Sequence, residues 1–208
     1  FVLLPALLYA GIPLTLQSDA SQRMTKDIMN RAYITPKRIV TKYAGCKNNL
    51  IKDEHYLLER GNGQSEMNRK KCCIMTSTET EKASLLLDFG SELHGGLKLV
   101  AGSSSRREPS LVRIRFGESV GEANSTTSNS EWKVGFSTDD HAKRDIVMEI
   151  PRDGMIEIGN TGFRFVRLDL LQNNATISLK EISAILRYRD IPYLGSFECN
   201  DQRLNKIW

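Results

Sequence analysis

Between residues 73 and 199 apolar residues recur at every second position, in short runs separated by turn residues. Leu97, Leu99 and Ala101 alternate with Lys98 and Val100, and Val112, Ile114 and Phe116 alternate with Arg113 and Arg115. Val166, Leu168 and Leu170 alternate with Arg167 and Asp169, and Ile146, Met148 and Ile150 with Val147 and Glu149. Ile156 and Ile158 flank Glu157 in the same way. A period of two puts successive side chains on opposite faces of a strand, so these runs are half-buried strands of antiparallel sheets. Ile182, Ala184 and Leu186 are one residue out of phase with Ile177 and Leu179, which predicts a β-bulge at Lys180-Glu181. Tyr193 and Phe197 read as the start of a last strand. No helical period intervenes between the runs. The pattern therefore predicts an all-β fold, an antiparallel β-sandwich of the jelly-roll or concanavalin-like kind.

The flanks read differently. Residues 1–16 carry no charge, yet the run is shorter than the roughly 20 apolar residues of a membrane span and is broken by Pro5, Gly11 and Pro13. It fits the apolar middle of a secretory signal peptide whose basic start is missing, with cleavage expected after Ala20 and a secreted or periplasmic destination. A buried N-terminal strand is the alternative. Residues 21–72 form a loop-rich segment with short strands: Thr35-Pro36 turns into a strand at Arg38-Ile39-Val40, and Gly61-Asn62-Gly63 is a turn. Residues 73–199 are the sandwich domain. Asn200 then reads as a helix N-cap with Asp201 in the first turn, and Leu204, Ile207 and Trp208 share one apolar face. Residues 200–208 are thus expected to be the first turns of a helical domain continuing beyond Trp208. Cys46, Cys72, Cys73 and Cys199 show no CxxC spacing; disulfides and free thiols both remain open in an exported chain.

Charge excludes some classes of function. The net charge is +4, from 29 basic and 25 acidic residues, without the concentrated basic stripe that nucleic acid calls for. No phosphate loop and no Gly-x-Ser-x-Gly elbow is present. The connections at 103–109 and 121–143 are long, and long rim loops are where sandwiches carry binding sites. Trp132 sits in a polar stretch, where its face can stack on the C–H face of a sugar or fold back as a loop anchor. Glu92, His94 and Glu118 follow strand ends beside glycines and are placed to line the same rim. In Asp139-Asp140-His141 consecutive side chains diverge, so they do not converge on one substrate atom. A solvated turn explains them; so does a calcium ion held by Asp139 or Asp140 with loop carbonyls. Nothing calls for another cofactor.

Several motifs in order resemble those of bacterial α-L-rhamnosidases. Leu86-Leu87-Asp88-Phe89-Gly90-Ser91-Glu92, then Gly95-Gly96 and the strand through Val100, are similar to the opening of that family's β-sandwich. Arg115-Phe116-Gly117-Glu118-Ser119, Thr138-Asp139-Asp140 and Gly162-Phe163-Arg164-Phe165-Val166-Arg167 follow, the last resembling a characteristic strand. Gly195-Ser196-Phe197-Glu198-Cys199-Asn200-Asp201 with Leu204-Asn205-Lys206-Ile207-Trp208 is similar to the junction into the catalytic α/α barrel. The resemblance, over residues 33–208, implies an accessory sandwich of an exported glycoside hydrolase that releases terminal α-L-rhamnose. It implies rhamnose-containing glycans and a downstream barrel of the same chain as partners. The catalytic carboxyls of the family lie in that barrel, so no catalytic residue is carried onto this chain. A free-standing carbohydrate-binding or cell-surface adhesion module is the alternative reading.

Overall fold

A computed structural model of the chain describes residues 29–43, 50–65, 70–125, 144–189 and 194–207. In order these hold β1 (Met29–Ile34), β2 (Arg38–Tyr43), β3 (Ile51–Lys52), a 3-10 turn (Glu54–Leu58), β4 (Cys73–Ser77), β5 (Ser84–Ser104) and β6 (Ser110–Gly117). Then come α1 (Val120–Asn124), β7 (Asp145–Ile150), β8 (Met155–Leu170), β9 (Ala175–Arg189) and α2 (Gln202–Asn205). The chain divides into one unit spanning Arg31–Tyr188 and another made of residues 1–30 with 189–208.

The fold is an antiparallel β-sandwich. Strand order is β3-β4-β9-β5-β8-β6-β7, with β1 on β9 and β2 on β5. β5 and β8, at 21 and 16 residues, are long enough to serve both layers. The first part of β5 lies between β2 and the end of β8, pairing Asp88 with Arg38 and Ser84 with Asp169. The later part lies between the start of β8 and β9, pairing Leu99 with Ile156 on one side and Ile182 on the other. The ladder breaks between Asp88 and Leu93, and the chain changes layers there. Gly90 makes the break possible, because its φ of 91° is a left-handed conformation that costs other residues energy.

Both layers bury their apolar faces in one core. Leu85, Leu87, Ile114 and Leu168 from one side meet Leu97, Leu99, Leu179 and Ile182 from the other. Each such side chain contributes roughly 1.5–3 kcal/mol when removed from water. Phe163 is fully buried and presents its ring edge-on to Phe89 and Phe116, at centroid distances of 5.8 and 4.9 Å. The expected bulge is present: Val100 faces Glu181 and Ala101 faces Leu179, leaving Lys180 as the extra residue.

The polar side of the β6–β8 layer is not a solvent face. Arg115, only 5% exposed, donates from Nη2 to Asp169 Oδ2 at 2.7 Å. Its Nη1 donates to the carbonyls of Asn124 and Ser125 at 3.0 and 3.1 Å, at the end of α1. Arg167 donates to Asp169 and to the Asn124 side chain at 2.9 and 2.8 Å. Leu86, Ala123 and Phe165 close a small apolar cluster beneath. Period two reports which residues leave the core, not whether water or a covering helix receives them.

Three local expectations are corrected. α1 and the Glu54–Leu58 turn occupy stretches expected to lack helix; both are too short to show a helical period. α1 is nevertheless marked by Ser119 and Glu122, the Ser-x-x-Glu capping pattern. At the C-terminus α2 spans only Gln202–Asn205 and its N-cap is Asp201, whose carboxylate accepts from the Arg203 N–H at 2.9 Å, not Asn200. Asn205 folds back, accepting from the Cys199 N–H and donating to the Cys199 carbonyl, both at 2.8 Å. Phe197 lies in an exposed stretch without strand structure, and Tyr193 lies outside the described residues. The signal segment 1–20 and Cys46 also lie outside them. Among the described residues no disulfide joins the cysteines; Cys73 is in the core, where burial pushes its thiol well up.

Candidate functional site

The layer change in β5 builds a rim. Leu93 turns into the core opposite Phe163, which leaves Glu92 and His94 on the outer side, both exposed. His94 pairs directly with Gly162 of β8. β6 ends beside the same point at Gly117, and Glu118 follows it into the turn before α1. Glu92 Oε1 and Glu118 Oε1 each lie 3.8 Å from the position a Cβ on Gly162 would take. Two carboxylates and an imidazole-bearing residue therefore surround a stretch of strand that has no side chain of its own.

Capping fixes the Glu118 side. Ser119 Oγ accepts from the Glu122 N–H at 3.1 Å, and Glu122 Oε2 accepts from the Glu118 N–H at 2.8 Å. Arg144, just before β7, donates to Glu118 Oε1 at 2.8 Å and to Glu122. Burial disfavours the Arg144 charge, but Glu118 and Glu122 outweigh it and raise its pKa above the usual guanidinium value. Behind this bridge a cavity of about 170 Å³ is lined by Arg115, Phe116, Glu122, Ser125, Arg144 and Asp145. Arg115 Nε is buried there and has no hydrogen-bond partner among the described residues.

Glu92, His94 and Glu118, singled out in the sequence, are thus brought together. Trp132, Asp139 and Asp140 lie outside the described residues, although Ser125 and Arg144, the described ends of that connection, both line the cavity. Arg144 and Glu122 were not singled out; the capping pattern pointed to Glu122, but no local signal marked Arg144. Among the described residues no three His, Cys, Asp or Glu side chains are placed to hold a metal ion. The chemistry favoured at the rim is acceptance of hydrogen bonds. Glu118 is 47% exposed and ion-paired with Arg144.

The sandwich is shared with solved carbohydrate-active proteins. A rhamnosidase from Klebsiella oxytoca, solved with rhamnose bound, matches 86% of this chain and 33% of its own at 14% identity and a TM-score of 0.56. A GH78 family rhamnosidase of Bacillus sp. GL1 matches 65% of this chain and 13% of its own at 16% identity, TM-score 0.44. A fucolectin from the serum of striped bass, Morone saxatilis, matches 72% of this chain and 46% of its own at 14% identity, TM-score 0.45. The chain spans a third or less of the two rhamnosidases. No family model and no curated protein matches it. At 14% identity the likeness to the Klebsiella oxytoca rhamnosidase shows the fold alone. No helix among the described residues is long and apolar enough to cross a membrane.

Proposed function

We propose that this chain is a glycan-binding accessory sandwich of an exported, α-L-rhamnosidase-like glycoside hydrolase, and that its sugar contact is the rim around Gly162. The observation that carries the reading is the convergence of Glu92 and Glu118 on the bare backbone of Gly162, with His94 paired beside it. Sugars present dense hydroxyl donors, and carboxylates held in β5 and just after β6 are strong acceptors for them. A glycine between the carboxylates lets a ring approach the strand closely. Trp132 would supply a stacking face and Asp139 or Asp140 a calcium ligand. Hydrolysis of terminal α-L-rhamnose would belong to a downstream α/α barrel, outside residues 73–199.

Calorimetric titration of the chain with rhamnose-containing oligosaccharides tests this. Binding should be measurable and should weaken at least tenfold in Glu92→Gln/Glu118→Gln with the melting temperature held. The chain should release no p-nitrophenol from an aryl α-L-rhamnoside. Unchanged affinity in the double variant would remove the rim from the reading, and turnover would refute the accessory role.

A further inference from the structure

Next to the rim lies a second cluster of charge that the hydroxyl-accepting role leaves unused. Asp88 is 1% exposed, and its carboxylate is fully occupied. Arg164 donates to it twice, from Nε to Oδ1 at 2.8 Å and from Nη2 to Oδ2 at 3.0 Å. Arg38 Nε donates to Oδ2 at 2.9 Å, and the Gly90 N–H to Oδ1 at 2.8 Å. One bidentate arginine would suffice to balance one buried carboxylate. Here two converge on it, and their side chains remain 38% and 59% exposed for Arg164 and Arg38. Among the described residues no hydrogen bond engages either Nη of Arg38 or Nη1 of Arg164, whose guanidinium face lies over the Phe165 ring at 4.9 Å from its centroid. The stem of Lys37 packs beside them, its Cδ 2.9 Å from the would-be Cβ of Gly90. The cluster carries two guanidiniums against one carboxylate. Asp88 holds both guanidiniums in place with donor edges unspent, and the forked edge of a guanidinium matches an oxyanion.

Position connects this cluster to the rim. Phe163 points into the core, so Gly162 and Arg164 on either side of it stand away from the core. Two residues along a strand span about 7 Å, comparable to one sugar ring.

We propose that the rim takes an acidic saccharide, with the carboxylate of a uronate residue on Arg38 and Arg164 and its hydroxyls on Glu92 and Glu118. The inference rests on the glycan-binding reading and adds its charge class. The arginines donate and the ligand carboxylate accepts, so no proton or covalent bond changes hands. Affinity for an acidic sugar should also weaken with added salt, because opposite charges near the surface are screened.

The test is titration of the 208-residue chain with galacturonate and glucuronate beside galactose and glucose, followed by calorimetry or by amide shifts at residues 38, 88 and 164. The expected result is at least tenfold tighter binding of the uronates, a preference that fades at high salt and disappears in Arg38→Gln. Galactose 6-sulfate separates a carboxylate site from one for any oxyanion; equal competition by it, or by inorganic sulfate, overturns the uronate assignment. Equal affinity for charged and neutral sugars overturns this inference while leaving the glycan-binding reading intact. Silence toward every sugar, including rhamnose oligosaccharides, overturns both. The wild-type comparison decides the matter even if Arg38→Gln folds poorly.

Discussion

Glu181→Ala should destabilise the sandwich by about 3–5 kcal/mol, whereas Lys98→Met and Glu181→Leu together should cost far less than the single changes summed. The pair lies on the side of β5 and β9 away from the core, with Lys98 Nζ 2.5 Å from Glu181 Oε1 and side chains only 9% and 4% exposed. Glu181 also accepts from Ser183 Oγ at 2.6 Å and from the Gly63 N–H at 2.9 Å. Lys98 has less support: beyond Glu181 its ammonium faces the Tyr33 ring, 4.3 Å from the centroid. Removing the carboxylate strands a buried cation whose desolvation is then uncompensated. Removing both charges eliminates that desolvation, leaving the Ser183 hydroxyl and Gly63 N–H to find water. Urea unfolding followed by far-UV circular dichroism, read as a double-mutant cycle, measures the coupling. A loss under about 1 kcal/mol in Glu181→Ala, or a double variant as unstable as the sum, would refute the reasoning. The acid limb supplies an independent check. Burial raises the Glu181 pKa, but Lys98, Ser183 and Gly63 together bring it below its ordinary value. A folded pKa below the unfolded one means the contribution is present above about pH 4.3 and is lost as pH falls through the folded value. Glu181→Gln should flatten that part of the stability profile.

Two further substitutions probe neighbouring features. Gly61→Ala should cost roughly 1–3 kcal/mol in thermal unfolding, because its Cβ would fall 2.0 Å from Glu181 Oε2, an oxygen held by Gly63 as well; a neutral result would show the 61–63 turn yielding freely. Asp88→Asn tests the buried carboxylate: hydrogen bonds from Arg164, with Gly90 and Arg38, overcome its burial and hold Asp88 far below the usual carboxylate range. Its contribution is therefore present above the unfolded value of about 3.9 and lost as pH falls below it. The stability gap between wild type and Asp88→Asn should narrow toward pH 2, and a constant gap in acid titrations would contradict the assignment.

What the sequence disclosed and what it hid divide along physical lines. Alternation in β5, β6, β8 and β9 marked which residues face the core, although β5 and β9 are buried on both faces over most of their length, and the phase slip at Lys180 is a one-residue event visible in any register. The same alternation assigned Arg115 and Arg167 to a face without saying what covers it. The covering helix α1 has too few residues for a period and is held by a cap, by guanidinium contacts with Asn124 and by Ala123 beneath. Glu92, His94 and Glu118 were singled out as following strand ends next to glycine; Glu118 does follow the end of β6, but Glu92 and His94 lie inside the continuous β5, at the break in its ladder with β8. Their convergence on Gly162 depends on β5 and β8 pairing across the layer change, a contact between residues far apart in sequence. Arg144 and the Arg38–Asp88–Arg164 cluster are likewise products of long-range pairing, and nothing local distinguishes them from surface charges.

Gly162 offers the sharpest separation of function from fold. Its would-be Cβ meets Glu92 and Glu118 oxygens at 3.8 Å, ordinary van der Waals contact, and its backbone is not in the left-handed region. A β-branched side chain suits a strand, so Gly162→Val should leave the melting temperature unchanged or raise it slightly. The same methyl groups would fill the gap between the carboxylates and hold a sugar ring off the strand. Loss of two hydrogen bonds to charged acceptors, at about 1.5–3 kcal/mol each, predicts a fall in affinity of at least tenfold. Gly162→Ala should fall between the two. Saccharide titration and thermal unfolding of the same samples keep the effects apart. Full affinity in Gly162→Val would mean that the ligand does not use the bare strand. A large drop in melting temperature would mean instead that the register between β5 and β8 depends on the glycine, and the rim would then have to be reassigned.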